Sequence, residues 1–182
     1  MTRRGLAAVV VALAAFAVGY AAGRARTTVV PDLSRYDALI EQQAQAFELD
    51  PPLLFALVAA ESGGNPEAVS SAGAIGLCQL MPATAAEEAG RLKIDGYAPE
   101  RLTEPALNVR LGASYLRRQL VRFEGDTVFA LAAYNAGGTN VRRWQRRAPD
   151  VSSKEAVQRE GFSETRHYVT RVLQMRDAYS RR

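Results

Sequence analysis

The sequence predicts an all-α domain, and three observations carry that reading. Apolar residues recur at three- and four-residue spacing, clearest over Ala106 to Phe123, where Leu107, Leu111, Tyr115, Leu116, Leu120 and Phe123 trace one helical face. No run of useful length alternates apolar and polar residues as a half-buried strand does. Helix punctuation stands where the periodic runs begin and end: Pro51 and Pro52 behind Asp50, Pro82, Gly63-Gly64, and Asn135 to Gly138.

The chain opens with a short basic stretch, Met1 to Arg4, followed by eighteen residues without a charge, Leu6 to Gly23. At the helical rise that run reaches about 27 Å, close to the thickness of a bilayer core. It reads as a membrane anchor or a signal peptide. The anchor is favoured, because the run is long for a signal's apolar region and lacks a clear small-x-small cleavage site before Arg24. Residues 1–26 are therefore expected to form the N-terminal segment, residues 27–35 a short linker around Pro31, and residues 36–182 a single domain.

Within that domain a first helix is expected over Arg35 to Phe47, and a second from Pro51 to Ser62 with Asp50 as its N-cap. Pro82 to about Ala89 forms the third. Arg91 to Pro105 reads as irregular, broken by Gly96, Pro99 and Pro105, with Thr103 placed to cap the long helix Ala106 to Phe123. A buried apolar helix starts at Asp126 and stops at Asn135 to Gly138. Val141 to Arg147 is a short basic helix, Pro149 to Gly161 a loop with room for a turn of helix, and Ser163 to Ser180 the last helix, capped by Ser163.

Residues 1–35 hold five arginines and one aspartate, a net of +4, which is the net charge of the whole chain. The remainder is balanced, so the high isoelectric point gives no reason to expect nucleic-acid binding. The stretch Arg142 to Arg182 is basic, with eleven bases against five acids, and reads as a solvated helix face. A single cysteine, Cys78, rules out an internal disulfide, and a single histidine makes a metal site implausible. No cofactor is expected. About 145 residues suffice for a core that holds the domain together unaided.

The helix Pro51 to Ser62 is apolar in every direction around its axis, from Leu53 through Ala60, and so should be buried on all sides. Its last turn carries one acid, Glu61. Burial, the negative end of the helix dipole and nearby like charge would each raise the pKa of a carboxyl placed there. Between Tyr36 and Gly90 stand eight acids and no Lys or Arg, so no local cation holds Glu61 ionised. A carboxylic acid that stays protonated near neutral pH can donate a proton to a leaving-group oxygen. A second apolar helix, Val128 to Tyr134, also ends in polar groups, Tyr134 and Asn135, which suggests that both helix ends open on one cleft. The small residues Ser70, Ser71, Gly73, Ala74 and Gly76, with Gln79 as the lone amide in an apolar run, form the other wall.

Glu61-Ser62, Asn65-Pro66, Ser70, Gly73-Ala74, Gly76-Leu77-Cys78-Gln79 and Met81-Pro82-Ala83-Thr84-Ala85 resemble the catalytic region of soluble-type lytic transglycosylases, goose-lysozyme-like enzymes that cleave peptidoglycan. Ala133-Tyr134-Asn135-Ala136-Gly137 and Glu164-Thr165-Arg166-His167-Tyr168-Val169 extend the match over roughly residues 36 to 180. The resemblance implies a lysozyme-like helical domain with a saccharide-binding cleft. It makes Glu61 the catalytic residue, with Ser70, Gln79, Tyr134, Asn135, Glu164 and Tyr168 binding substrate. Cys78 departs from the Met usual in the family.

The activity implied is that of a carbon-oxygen lyase cutting the β-1,4 bond between N-acetylmuramic acid and N-acetylglucosamine, with closure of a 1,6-anhydromuramoyl product. Glu61 would act as acid and then as base. The alternatives are a hydrolytic muramidase, and a non-catalytic peptidoglycan-binding or secretion-assembly component. A two-carboxylate glycosidase would need a partner acid about 5 to 9.5 Å away; Glu67 and Glu164 remain open for that role. Glycan strands are the expected partner, with a secretion or cell-wall machine as a possible further one. The location expected is extracytoplasmic, in the periplasm or cell envelope, with a monomeric catalytic domain held at the membrane by residues 6–23.

Overall fold

The computed structural model describes residues 30–181, so the expected anchor or signal segment, residues 1–26, lies outside the described residues. Within them eight α-helices follow in order: α1 (Asp37–Ala46), α2 (Pro51–Ser62), α3 (Pro82–Arg91), α4 (Pro105–Arg122), α5 (Thr127–Ala136), α6 (Gly138–Arg147), α7 (Ser153–Glu160) and α8 (Ser163–Tyr179). Short 3-10 turns, Ser34–Tyr36 and Pro99–Thr103, precede α1 and α4. The only strand-like pairings among the described residues are isolated bridges in the loop after α2, Val69 with Ile75 and Ile75 with Leu80. The architecture is all-α, as the periodicity predicts, and none of the described helices is long and apolar enough to cross a membrane.

The apolar helix α2 is the axis of the molecule. Leu53 through Ala59 are all buried, because α1 and α8 pack along its sides. Its start is fixed by the two prolines, while Asp50 occupies the N-cap position without a side-chain bond; the amides of Leu53 and Leu54 turn back to the Asp50 carbonyl instead. Around this axis α4 packs against α1, α3 and α5, and α5 lies against α6, α7 and α8. The residues just before α1 are tied to the other end of the chain: Leu33 is buried, and the Tyr179 hydroxyl donates to the Pro31 carbonyl at 2.8 Å.

Three local expectations need correction. The stretch Pro149 to Gly161 contains a true helix, α7, because Ser152 caps the Glu155 amide and Ala156 and Val157 bury a short apolar face. Helix α6 starts at Gly138, since Gly137, at φ 82°, ends α5 and begins α6 with no intervening loop. Neither Ser163 nor Thr103 is an N-cap. Phe162 and Glu104 hold those positions, without side-chain bonds. Asp126 does cap as expected, accepting from the Phe129 amide at 2.9 Å.

Candidate active site

Helix α2 stops where its sequence runs out of apolar residues. Gly63 takes the left-handed conformation at φ 61° and returns its amide to the Ala59 carbonyl, which leaves Glu61 in the final turn. Glu61 is half-buried as a residue, and its carboxyl is enclosed by protein. Burial raises its pKa from 4.5 to about 7, while the Tyr168 hydroxyl and the Arg171 guanidinium pull in the opposite direction. The direction agrees with the sequence reading, but the causes differ. Burial does the raising, and like charge is not among the causes. The cation that the neighbouring sequence lacks arrives from α8, 110 positions further along the chain.

Three other groups face Glu61. Tyr134, at the end of α5, is buried and donates its hydroxyl to the Cys78 carbonyl at 2.9 Å; burial, with Cys78 and Glu61 nearby, holds its ionisation well above the usual range. Tyr168, on α8, is buried with its hydroxyl against the Glu61 carboxyl, near enough to lower that carboxyl's pKa but without the alignment of a full hydrogen bond. The Cys78 thiol, beneath them, is pushed up by burial and by Glu61. Beside Tyr134, Asn135 is buried. Its Oδ1 accepts from the Thr165 hydroxyl at 2.7 Å, and its Nδ2 has no partner. Asn135 Nδ2 thus stands without an acceptor, while the Tyr168 hydroxyl has the Glu61 carboxyl beside it.

Ser70 and Gln79 fold the loop that forms the opposite wall. Ser70 Oγ accepts from the Ala74 amide at 2.9 Å. Gln79, at φ 47°, donates both amide hydrogens, to the carbonyls of Ala68 at 3.0 Å and Gly76 at 3.1 Å. This leaves the Ser70 hydroxyl proton and Gln79 Oε1 as the atoms able to meet a ligand. Glu164 is exposed in the first turn of α8, and at a spacing of four and three residues it shares a helix edge with Tyr168 and Arg171. His167 is exposed. Neither Glu67 nor Glu164 is among the charges that shift Glu61, so no second carboxylate is coupled to it. No group of three His, Cys, Asp or Glu side chains able to hold a metal ion occurs among the described residues.

Several residues that build the site escape a reading of the sequence. Asn108, fully buried on α4, donates to the carbonyls of Ile75 at 2.9 Å and Leu102 at 2.8 Å and accepts from the Cys78 amide at 2.7 Å, pinning the loop wall to the helix. Its signal was present, as a lone amide beside Leu107 and Leu111 on an apolar face. Gly76, at φ 82°, packs so tightly that a Cβ there would strike Asn108 and the Leu102 carbonyl. Thr165, which orients Asn135, and Arg171 give no comparable signal.

Residues 38–157 match the family described as the transglycosylase SLT domain. The soluble lytic murein transglycosylase of Escherichia coli strain K12 is 37% identical over 148 residues, which is 80% of this chain and 23% of that protein. The transglycosylase of Enterobacteria phage PRD1 is 42% identical over 98 residues, 54% of this chain and 33% of that one. Among solved structures, an inactive Glu-to-Gln mutant of the lytic transglycosylase Slt from Pseudomonas aeruginosa superimposes with a TM-score of 0.76 at 34% identity, covering 82% of this chain and 24% of that chain. A complex of the 70 kDa soluble lytic transglycosylase with bulgecin A gives a TM-score of 0.77 at 35% identity, covering 80% and 24%. The chain thus spans about a quarter of the length of the soluble relatives it matches. With the fold, the order of the helices and the sequence all in agreement over most of its length, the chain belongs to the transglycosylase SLT domain family.

Proposed function

We propose that this protein is a peptidoglycan lytic transglycosylase in which Glu61 acts alone, first as acid and then as base. The observation that carries the reading is the Glu61 carboxyl at the end of the buried helix α2, raised to about 7 by burial with no second carboxylate coupled to it. Near neutral pH such a group is poised between its two protonation states, as a residue that must give and then take a proton requires. In the first step Glu61 transfers its proton to the glycosidic oxygen between N-acetylmuramic acid and N-acetylglucosamine as the bond from C1 breaks. The acetamido carbonyl of the same sugar supports the positive charge at C1. The Glu61 carboxylate then removes the C6 hydroxyl proton while O6 bonds to C1, closing the 1,6-anhydro ring and restoring the acid.

The unpartnered Asn135 Nδ2, with Ser70, Gln79, Tyr134, Glu164 and Tyr168, is proposed to hold the sugars in position for that closure. That a lytic transglycosylase relative is inactive with one Glu replaced by Gln supports a glutamate as an essential residue. Residues 1–26 are proposed to anchor the domain to the membrane with residues 36–182 on the wall side, where glycan strands are. Digesting purified peptidoglycan with the full chain and weighing the products by mass spectrometry tests the activity. Anhydro-ended muropeptides are expected. Reducing ends in their place would reassign the chain as a muramidase, and binding without cleavage would make it a wall-binding component. Glu61→Gln is expected to lower the lytic rate by at least about a hundredfold, and full activity in that variant would remove Glu61 as the acid.

A further inference from the structure

We propose that Arg171 is a positioning residue for Glu61: moored on the Ala60 carbonyl, its guanidinium holds a positive charge beside the carboxyl without pairing to it, and so sets the alkaline edge of the acid's working range. This rests on the reading of Glu61 as the acid, and it begins from the way α2 ends. A helix leaves its last carbonyls without partners. Ala59 is served by the Gly63 amide, but the Gly64 amide, which would reach Ala60, turns to the Ser62 hydroxyl at 3.1 Å. The vacant Ala60 carbonyl is taken by Arg171 Nη2 from α8, at 2.7 Å.

One donor of the guanidinium is thereby fixed to the residue immediately before Glu61, and the two side chains form no ion pair among those of the described residues. The separation has a chemical consequence. A guanidinium bonded directly to the carboxylate would hold Glu61 ionised and unable to donate; one moored a residue away stabilises the carboxylate only in part, against the burial that favours the protonated form.

The other groups facing Glu61 do not carry charge at neutral pH. They are Tyr168 on α8, Tyr134 on α5 and Cys78 in the loop wall, whose burial keeps each of them protonated. Arg35, ahead of α1, is engaged by the Gly64 carbonyl and lies over the Tyr36 ring. Glu164 and His167 on α8 are exposed, and Arg171 is the charge coupled to the Glu61 carboxyl.

The test is a carbon-13 carboxyl titration of Glu61 by NMR in the full chain held in detergent micelles, with Glu61→Gln identifying the resonance. Arg171→Gln is expected to titrate about half a pH unit above the native protein, the size of a solvent-screened charge. Arg171→Lys, which keeps both charge and donor, is expected to stay within about a quarter unit of the native protein. Added salt is expected to raise the native value toward that of Arg171→Gln and to leave the latter unmoved. On peptidoglycan, the alkaline limb of the lytic rate should move up with the titration.

An unchanged or lower value in Arg171→Gln, an equal shift in Arg171→Lys, or a native titration indifferent to salt would each reduce Arg171 to a brace for the helix end and overturn the proposal. Thermal melts establish that Arg171→Gln is folded; if it is not, the salt series on the native protein and the Lys variant decide the matter. The titration needs no turnover. A chain that titrates as expected but does not cut would overturn only the proposed activity, and one that cuts with Arg171 silent would overturn only the role of Arg171.

Discussion

At the scale of the residue, the raised carboxyl of Glu61 is a cost that folding bears for the sake of chemistry. Its folded pKa of about 7 lies above the ordinary 4.5, so between those values the folded state holds more protons than the unfolded one. Stability therefore falls as pH rises through that window, and the whole penalty is present above about pH 7. Two and a half units correspond to about 3 kcal/mol. Glu61→Gln, which cannot ionise, is expected to be more stable than the native chain by up to about 3 kcal/mol at pH 8 and to lose that advantage by about pH 4. Denaturant unfolding at several pH values measures this; a gain independent of pH would mean that the carboxyl is solvated. A stabilised and inactive variant is the pattern expected of an acid kept in a poor environment for function.

At the scale of the element, the site is held less by α2 than by the seam between the loop wall and α4. Asn108 supplies three hydrogen bonds to that seam from a fully buried position. Asn108→Leu is expected to cost about 3 kcal/mol, since it strands two carbonyls and an amide, and to lower activity beyond its effect on the folded population. Melting temperatures and rates at equal folded fraction separate the two effects. Four residues further along α4, a Cβ on Gly112 would lie 2.6 Å from Cys78 Cβ. Gly112→Ala is therefore expected to destabilise by about 2 kcal/mol, and Cys78→Ala in the same chain, which removes the Sγ at 2.5 Å but keeps the Cβ, should recover only part of that loss. A double-mutant cycle tests the coupling, and simple additivity would show that the two positions do not press on each other. The tight pairing of Cys78 with Gly112 also gives a local account of why this wall tolerates a short, soft side chain.

At the scale of the whole molecule, the acids of the first half find their counterions on α4. Arg117 pairs with Glu48, Arg118 with Glu87 at 2.6 Å and with Glu88 at 2.7 Å, while the Ser114 hydroxyl donates to the other Glu88 oxygen at 2.6 Å. The contact between Arg118 Nε and Glu88 is a charge contact rather than an aligned hydrogen bond. Glu88 is fully buried, so Arg118→Met is expected to cost about 3 kcal/mol by leaving an enclosed acid with only the more distant Arg91, at 3.9 Å, as its cation. Equilibrium unfolding checks this, and replacing Glu88 by Leu in the same chain should return much of the loss. Glu61 stands outside this network.

The helices, their stops and the apolar character of α2 were legible in the sequence, because periodicity, proline and glycine act over a few residues and report the local backbone directly. The placement of Glu61 at a buried helix end was legible for the same reason, whereas the grouping of Tyr134 and Asn135 with it rested on the family resemblance. Helix α7 was not, since two buried residues make too weak a period, and neither was the failure of Ser163 to cap α8. Pairs within one helical turn, such as Arg159 with Glu155, are local, but the long-range neighbours of the acids could not be read from the chain. Once α4 and α8 packed against α1, α2 and α3, four of the eight acids gained distant bases: Arg117 stands by Glu48, Arg118 by Glu87 and Glu88, and Arg171 by Glu61. Electrostatic energy depends on distance in space and on burial, and only the tertiary structure sets those.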